Sequence, residues 1–223
     1  PDGSEDMGYM LFPTPAAPND RNISTMPIAE KILQFNPPGG RYFGDLNLEI
    51  QSLLPLEGFE IHFDTRGKEP KMDGPLYQER ILITEDTVIR AAGCLDGRQA
   101  TPIVSSSYFG ISSTSSELVL PVMSISMSPA DFSTVHTRGN ARGRESERQG
   151  YIEIFDADGS PGAATGFGLR LHGCAGRGGD IRTKKSYKAY FRGIYGDTRL
   201  RYPVIPDTHV EEFDKLVLLA NYN

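Results

Sequence analysis

The chain has 223 residues, 38% of them hydrophobic, and a formal net charge of -6 at pH 7. That is enough apolar material for one large or two small packed cores, with no overall basic field to attract a polyanion, so nucleic-acid binding is disfavoured. Twenty-four glycines, sixteen prolines and no tryptophan exclude an architecture of long helices and predict many short strands joined by turns.

Other classes drop out as well. No apolar run reaches the length of a membrane span. Cys94 and Cys174 lie far apart, and with His62, His136, His172 and His209 they show neither a disulfide framework nor metal-ligand spacing, so no metal site is expected. The start at Pro1 without a signal peptide marks a processed product or a fragment.

Residues 1–34 read as a linker or the tail of a preceding module, since LFPTPAAPND carries three prolines within six positions, which fix φ and remove donors. A turn-and-strand pattern starts at Phe35. FNPPGGRYFG supplies a corner, and Leu48 and Ile50 alternate with Asn47, Glu49 and Gln51 as a strand with one buried face requires. Phe59, Ile61 and Phe63 repeat the pattern against Glu60 and His62. DTRGKEP then turns, YQERILITEDTVIRAAG gives two short apolar stretches, and PIVSSSYFG closes the series. Strands every ten or so residues with Gly, Pro and Asp corners predict a small sandwich.

In that order, FNPPGG, EIHFDTRGKEP, GPLYQERILITEDTVIRAAG and SSSYF resemble the chitobiase C-terminal-like, immunoglobulin-like sandwich repeat over residues 35–110. Arg66 and Lys71 stand where that family has Asp and Thr. The resemblance implies a spacer or accessory module.

Past the Ser-rich GISSTSSE, LVLPVMSISM predicts a buried strand, and SPADF the start of a helix with Pro129 in its first turn. HTRGNARGRESERQG reads as a mobile polar loop, and YIEIFDADGS as a strand entering an Asp-Gly hairpin turn. Farther on, Leu169 and Leu171 alternate with Arg170 and His172, and Tyr187, Ala189 and Phe191 alternate with Lys188, Tyr190 and Arg192. Between these two strands lie glycines 173, 176, 178 and 179, with Arg170, Arg177, Lys184 and Lys185 nearby. Glycines permit close backbone approach and the cations suit a polyphosphate. A plain hairpin is the competing reading, for the segment lacks both GxxxxGK[ST] and GxGxxG.

PVMSISMSPADF, ESERQGYIEIFDADG, GFGLRLHGCAGRGGDIRTKKSYKAYFRGIYGDTRLRYPV and EEFDKLVLLANYN together resemble the opening part of the CotH (spore-coat protein H) kinase family over residues 118–223. The resemblance implies an atypical protein kinase that uses ATP and Mg to phosphorylate secreted or surface proteins. Arg170 and Arg177 fall on the family's "GIRIrGxxSR" arginines. Lys184 and Lys185 fall on its paired lysines, the source of the phosphate-contacting lysine. These four are the expected cofactor-binding residues. Glu147 and Arg148 match the family's "ER" with no role assigned, and Cys174, Ala175 and Gly176 replace a more polar run. No catalytic residue is expected here, because the family's metal-binding carboxylates lie downstream of the last matched strand.

Asp156-Ala157-Asp158-Gly159 reads as a hairpin turn rather than a calcium loop, since Pro161 stands where that loop needs Gly. Glu211, Glu212 and Asp214 read as a solvated strand or helix end. The fold expected is mainly β: an Ig-like β-sandwich followed by an α+β partial CotH kinase-like lobe. The function expected is a piece of an exported, extracellular or cell-surface multi-modular kinase whose partner is a secreted or surface protein. The alternative is a non-enzymatic structural or adhesive β-module protein.

Overall fold

The computed structural model describes residues 9–10, 23–24, 32–53, 56–111, 120–137, 142–173, 184–205 and 208–220. The protein is mainly β, as the density of turn-forming residues predicts. It divides into two compact units, Pro1–Ser113 and Thr114–Asn223.

In the first unit, β1 (Tyr9–Met10) and β2 (Ile23–Ser24) pair antiparallel. The main body consists of β3 (Leu33–Asn36), β4 (Gly40–Phe43), β5 (Leu46–Ser52), β6 (Glu60–Asp64), β7 (Ile81–Ile83), β8 (Thr87–Leu95), β9 (Arg98–Gln99) and β10 (Val104–Ile111). One sheet has the order β3-β5-β7. The other runs β4-β10-β8-β6, with β9 added to β8. All pairings are antiparallel except that of β4 with β10.

Period-two patterning decides what lies between the sheets. Leu48 and Ile50 are buried while Asn47 and Gln51 face solvent. Leu33, Leu48, Ile50 and Ile83 of one sheet meet Tyr42, Ile61, Ile89, Ala91 and Tyr108 of the other in one core, each large side chain contributing about 1.5–3 kcal/mol on burial. The Tyr108 hydroxyl donates to the Pro37 carbonyl at 2.9 Å, so the ring's polar end is satisfied too. Asp96 (φ 50°) and Gly97 (φ 73°) make the tight turn between β8 and β9, a left-handed pair for which Asp-Gly is well suited.

Alternation alone puts His62 on the solvent side of β6, yet His62 is only 5% exposed. Residues following β6 fold back over that face. The His62 Nδ1 donates to the Gly74 carbonyl at 3.2 Å, Leu76 bridges to His62, and Arg90 reaches the Gly67 carbonyl at 3.5 Å.

The second unit contains β11 (Val122–Met127), α1 (Pro129–Thr137), a 3-10 turn (Arg144–Ser146), β12 (Arg148–Phe155), β13 (Pro161–Leu171), β14 (Tyr187–Tyr190), β15 (Leu200–Arg201), β16 (Glu212–Phe213) and β17 (Lys215–Leu218). Its antiparallel sheet has the order β11-β12-β13-β14-β17, and β15 pairs with β16. The helix starts at Pro129, where a proline costs no hydrogen bond. The β12–β13 hairpin turns at Asp156–Gly159: Asp156 N–H donates to the Ser160 carbonyl at 2.9 Å, and Gly159 has φ 88°.

Register sorts β13 and β14 into two faces. Phe167, Leu169, Leu171 and Ala189 join Ile152, Ile154 and Leu216 in the core, which α1 enters through Val135. Gly166, Gly168 and Arg170 share the opposite face with Lys188 and Tyr190. The segment expected to be one mobile polar loop is partly built into the fold. Helix α1 runs to Thr137, Arg144–Ser146 forms the 3-10 turn, and Glu147 is buried, because its carboxylate has cationic partners inside.

Candidate functional site

The face of β13 opposite the core carries glycines at 166 and 168, and those missing side chains make room for what lies over it. A methyl group at Gly168 would meet the Tyr195 ring at 2.5 Å and a Glu147 carboxylate oxygen at 3.2 Å, and one at Gly166 would overlap the Tyr195 carbonyl oxygen. The Glu147 carboxylate therefore sits directly on the sheet, with no side-chain exposure at all.

Buried carboxylates need charge and hydrogen bonds, and Glu147 has both. Arg192 Nε donates to Oε1 at 3.0 Å and Nη2 to Oε2 at 3.1 Å, a bidentate pair. The Tyr195 hydroxyl donates at 3.4 Å. Burial, then the Glu147 charge, push the Tyr195 phenol up, so it remains a donor at neutral pH. Hydrogen bonding to Glu147 pushes the Arg192 guanidinium up as well.

Arg170 Nη1 lies 3.7 Å from Glu147 Oε2, close enough for electrostatic attraction but too long for a hydrogen bond. Among the described residues its buried Nε–H has no hydrogen-bond partner. The guanidinium groups of Arg170 and Arg192 each lie 5.0 Å from the centre of the Tyr190 ring, and Lys188 Nζ lies 5.4 Å from it. Among the described residues, three cations thus gather on one aromatic ring with a single carboxylate among them. The cluster keeps a positive excess and a buried donor, which together suit an anionic ligand.

A second constellation lies on the core side, where α1 ends. Lys185 Nζ donates to the His136 carbonyl at 2.7 Å, in the last turn of the helix, where carbonyls lack intrahelical partners and the helix dipole is negative. His136 Nδ1 and the Tyr187 hydroxyl are 2.6 Å apart, and Phe132 stacks on His136 at 5.6 Å between centroids. Burial, then the Lys185 charge, push the His136 imidazole down. Beside this corner, Val135, Arg148 and Leu171 help line a pocket of about 160 Å³, below the roughly 300–1,000 Å³ of typical small-molecule sites. Arg148 also ties β12 to the helix through Asp131 at 3.4 Å.

Of the four residues singled out from sequence, Arg170 joins the Glu147 cluster and Lys185 caps α1 on the other face of the sheet. Lys184 is exposed, and Arg177 lies outside the described residues, as does Cys174. The fold does not bring Arg170 and Lys185 together. The residues that complete the cluster, Glu147, Lys188, Tyr190, Arg192 and Tyr195, carried no assigned role. Their one sequence signal is the alternation of Lys188, Tyr190 and Arg192, which puts the three on one side, and the β13–β14 register makes that the side of Arg170. Elsewhere in the unit, exposed Glu212 pairs with Arg199 and Arg201, in keeping with a solvated acidic stretch.

Comparison of the chain with protein-family models, curated proteins and solved structures finds no match.

Proposed function

We propose that the second unit is a polyphosphate-binding lobe of an exported, CotH-like atypical protein kinase, acting with ATP and magnesium on secreted or surface proteins. The observation that carries this reading is the excess, among the described residues, of three cations over one carboxylate around Tyr190, with the buried Arg170 Nε–H unpartnered among them. Guanidinium and ammonium donors fit phosphate oxygens. The cluster's carboxylate, Glu147, is engaged by Arg192, so the metal would arrive with the nucleotide. A five-stranded antiparallel sheet with one helix packed on it supports the same reading. The first unit is its accessory immunoglobulin-like, chitobiase C-terminal-like sandwich. That assignment is supported by the way the chain crosses from the β3-β5-β7 sheet to run parallel with β10.

The test is calorimetric titration of the full chain with ATP and magnesium, with tripolyphosphate and adenosine as comparison ligands. Tripolyphosphate competes with ATP and adenosine does not. Lys188→Ala and Arg177→Ala each weaken binding about tenfold, or about 1.4 kcal/mol. Affinity unchanged in both variants overturns the reading.

A second reading, a non-enzymatic structural or adhesive β-module protein, is favoured by the internal duties of two of the cations. Arg192 neutralises Glu147, and Lys185 caps a helix. Under this reading neither ATP nor tripolyphosphate binds.

A further inference from the structure

The first unit contains a grouping that sequence spacing hides. Antiparallel pairing sets Glu60 opposite Cys94 and His62 opposite Ala92. Ile61 and Ala91 face the core, so Glu60, His62 and Cys94 share the other face of the sheet. One carboxylate oxygen, one imidazole nitrogen and the thiol sulfur lie within 4.8 Å of one another.

The histidine is held in the orientation a metal requires. Its Nδ1 donates to the Gly74 carbonyl, which fixes the tautomer and leaves the Nε2 lone pair available. The side chain is 7% exposed, and Nε2 has no hydrogen-bond partner among the described residues. Glu60 Oε2 lies 3.7 Å away, beyond hydrogen-bond reach. Cys94 is 1% exposed, and its sulfur receives the Gly97 N–H.

We propose that Glu60, His62 and Cys94 form a binding site for a zinc-class divalent cation, with water in the fourth position. Zinc bonds of about 2.0–2.3 Å at tetrahedral angles set ligand atoms roughly 3.4–3.7 Å apart. The His62–Glu60 spacing of 3.7 Å is within a few tenths of an ångström of that range. Rotation of the half-exposed Glu60 side chain adjusts the distances to its carboxylate, and a small shift of the Cys94 side chain closes its separation from His62, which is at most 4.8 Å. A mixed nitrogen, sulfur and oxygen set selects zinc-like ions over magnesium or calcium, which take oxygen ligands.

The test uses the full chain, reduced and stripped with a chelator, and titrated with Zn²⁺ alone by calorimetry and with Co²⁺ alone by absorption. Stoichiometric binding and a thiolate-to-cobalt charge-transfer band are expected. The band disappears in Cys94→Ser and persists in Cys174→Ser. Glu60→Gln changes an exposed residue and leaves folding intact, so it tests the site even where Cys94→Ser fails to fold. In that variant Zn²⁺ affinity falls more than about tenfold. No band in the unmodified chain, a band that survives Cys94→Ser, or equal Zn²⁺ affinity in Glu60→Gln overturns the proposal.

Discussion

Glu147 and Arg192 are 45 residues apart and meet through two parallel contacts of 3.0 and 3.1 Å over the glycine face of β13. This pair fixes the segment after β14 to the entry of β12. Removing the carboxylate leaves two cations facing each other without compensation, the costly way to break a buried pair. Glu147→Ala is expected to destabilise the second unit by about 3 kcal/mol, read as a lower urea midpoint. Arg192→Ala is expected to cost a comparable amount, because it leaves the fully buried carboxylate with only Arg170 at 3.7 Å and the Tyr195 hydroxyl.

The glycines beneath that pair should be unequal in their intolerance of a methyl group. At Gly166 the obstacle is the Tyr195 backbone carbonyl, whereas at Gly168 it is the edge of the Tyr195 ring and a carboxylate oxygen. Backbone yields less readily than a side chain. Gly166→Ala should therefore lose more stability than Gly168→Ala, both on the scale of about 1–3 kcal/mol, and thermal unfolding of the two variants gives the order.

The two adjacent lysines should separate in a stability measurement. Lys185 holds a helix-terminal carbonyl at 2.7 Å, and Lys184 is exposed. Lys185→Ala is expected to cost about 0.5–1 kcal/mol, with Lys184→Ala close to neutral. Equal effects would remove the capping role.

His136 gives the second unit a pH dependence. Its imidazole pKa is pushed below the ordinary 6.5 by burial and by Lys185, so the unfolded chain takes up the proton more readily than the fold does. The stability this site contributes is fully present above the unfolded pKa. It falls as pH drops through about 6.5 toward the depressed folded value. His136→Asn, compared with the unmodified chain by denaturant unfolding at pH 7.5 and 5.5, should show the smaller loss on acidification.

Much of the local structure was legible because it follows from period and turn chemistry. Leu48 with Ile50 and Leu169 with Leu171 bury as alternation requires, Pro129 opens the helix, and Asp156–Gly159 turns the hairpin. The burial of Glu147 was not legible. Its flanking residues are polar, and its partner Arg192 arrives from the segment after β14, across a sheet whose order no local pattern encodes. His62 escaped for a related reason, since alternation describes one face and says nothing about a loop folding over the other.

The sequence by itself determined the mainly β character, the order of strands and turns, and which face of each central strand is apolar. These depend on neighbours within a few residues. Only the tertiary structure decided which polar groups come together: Arg170 with Glu147, Lys185 with the end of α1, and Cys94 within 4.8 Å of His62. Pairing partners are set by strand register and long-range packing, and the energy of a charge depends on what surrounds it in space rather than along the chain.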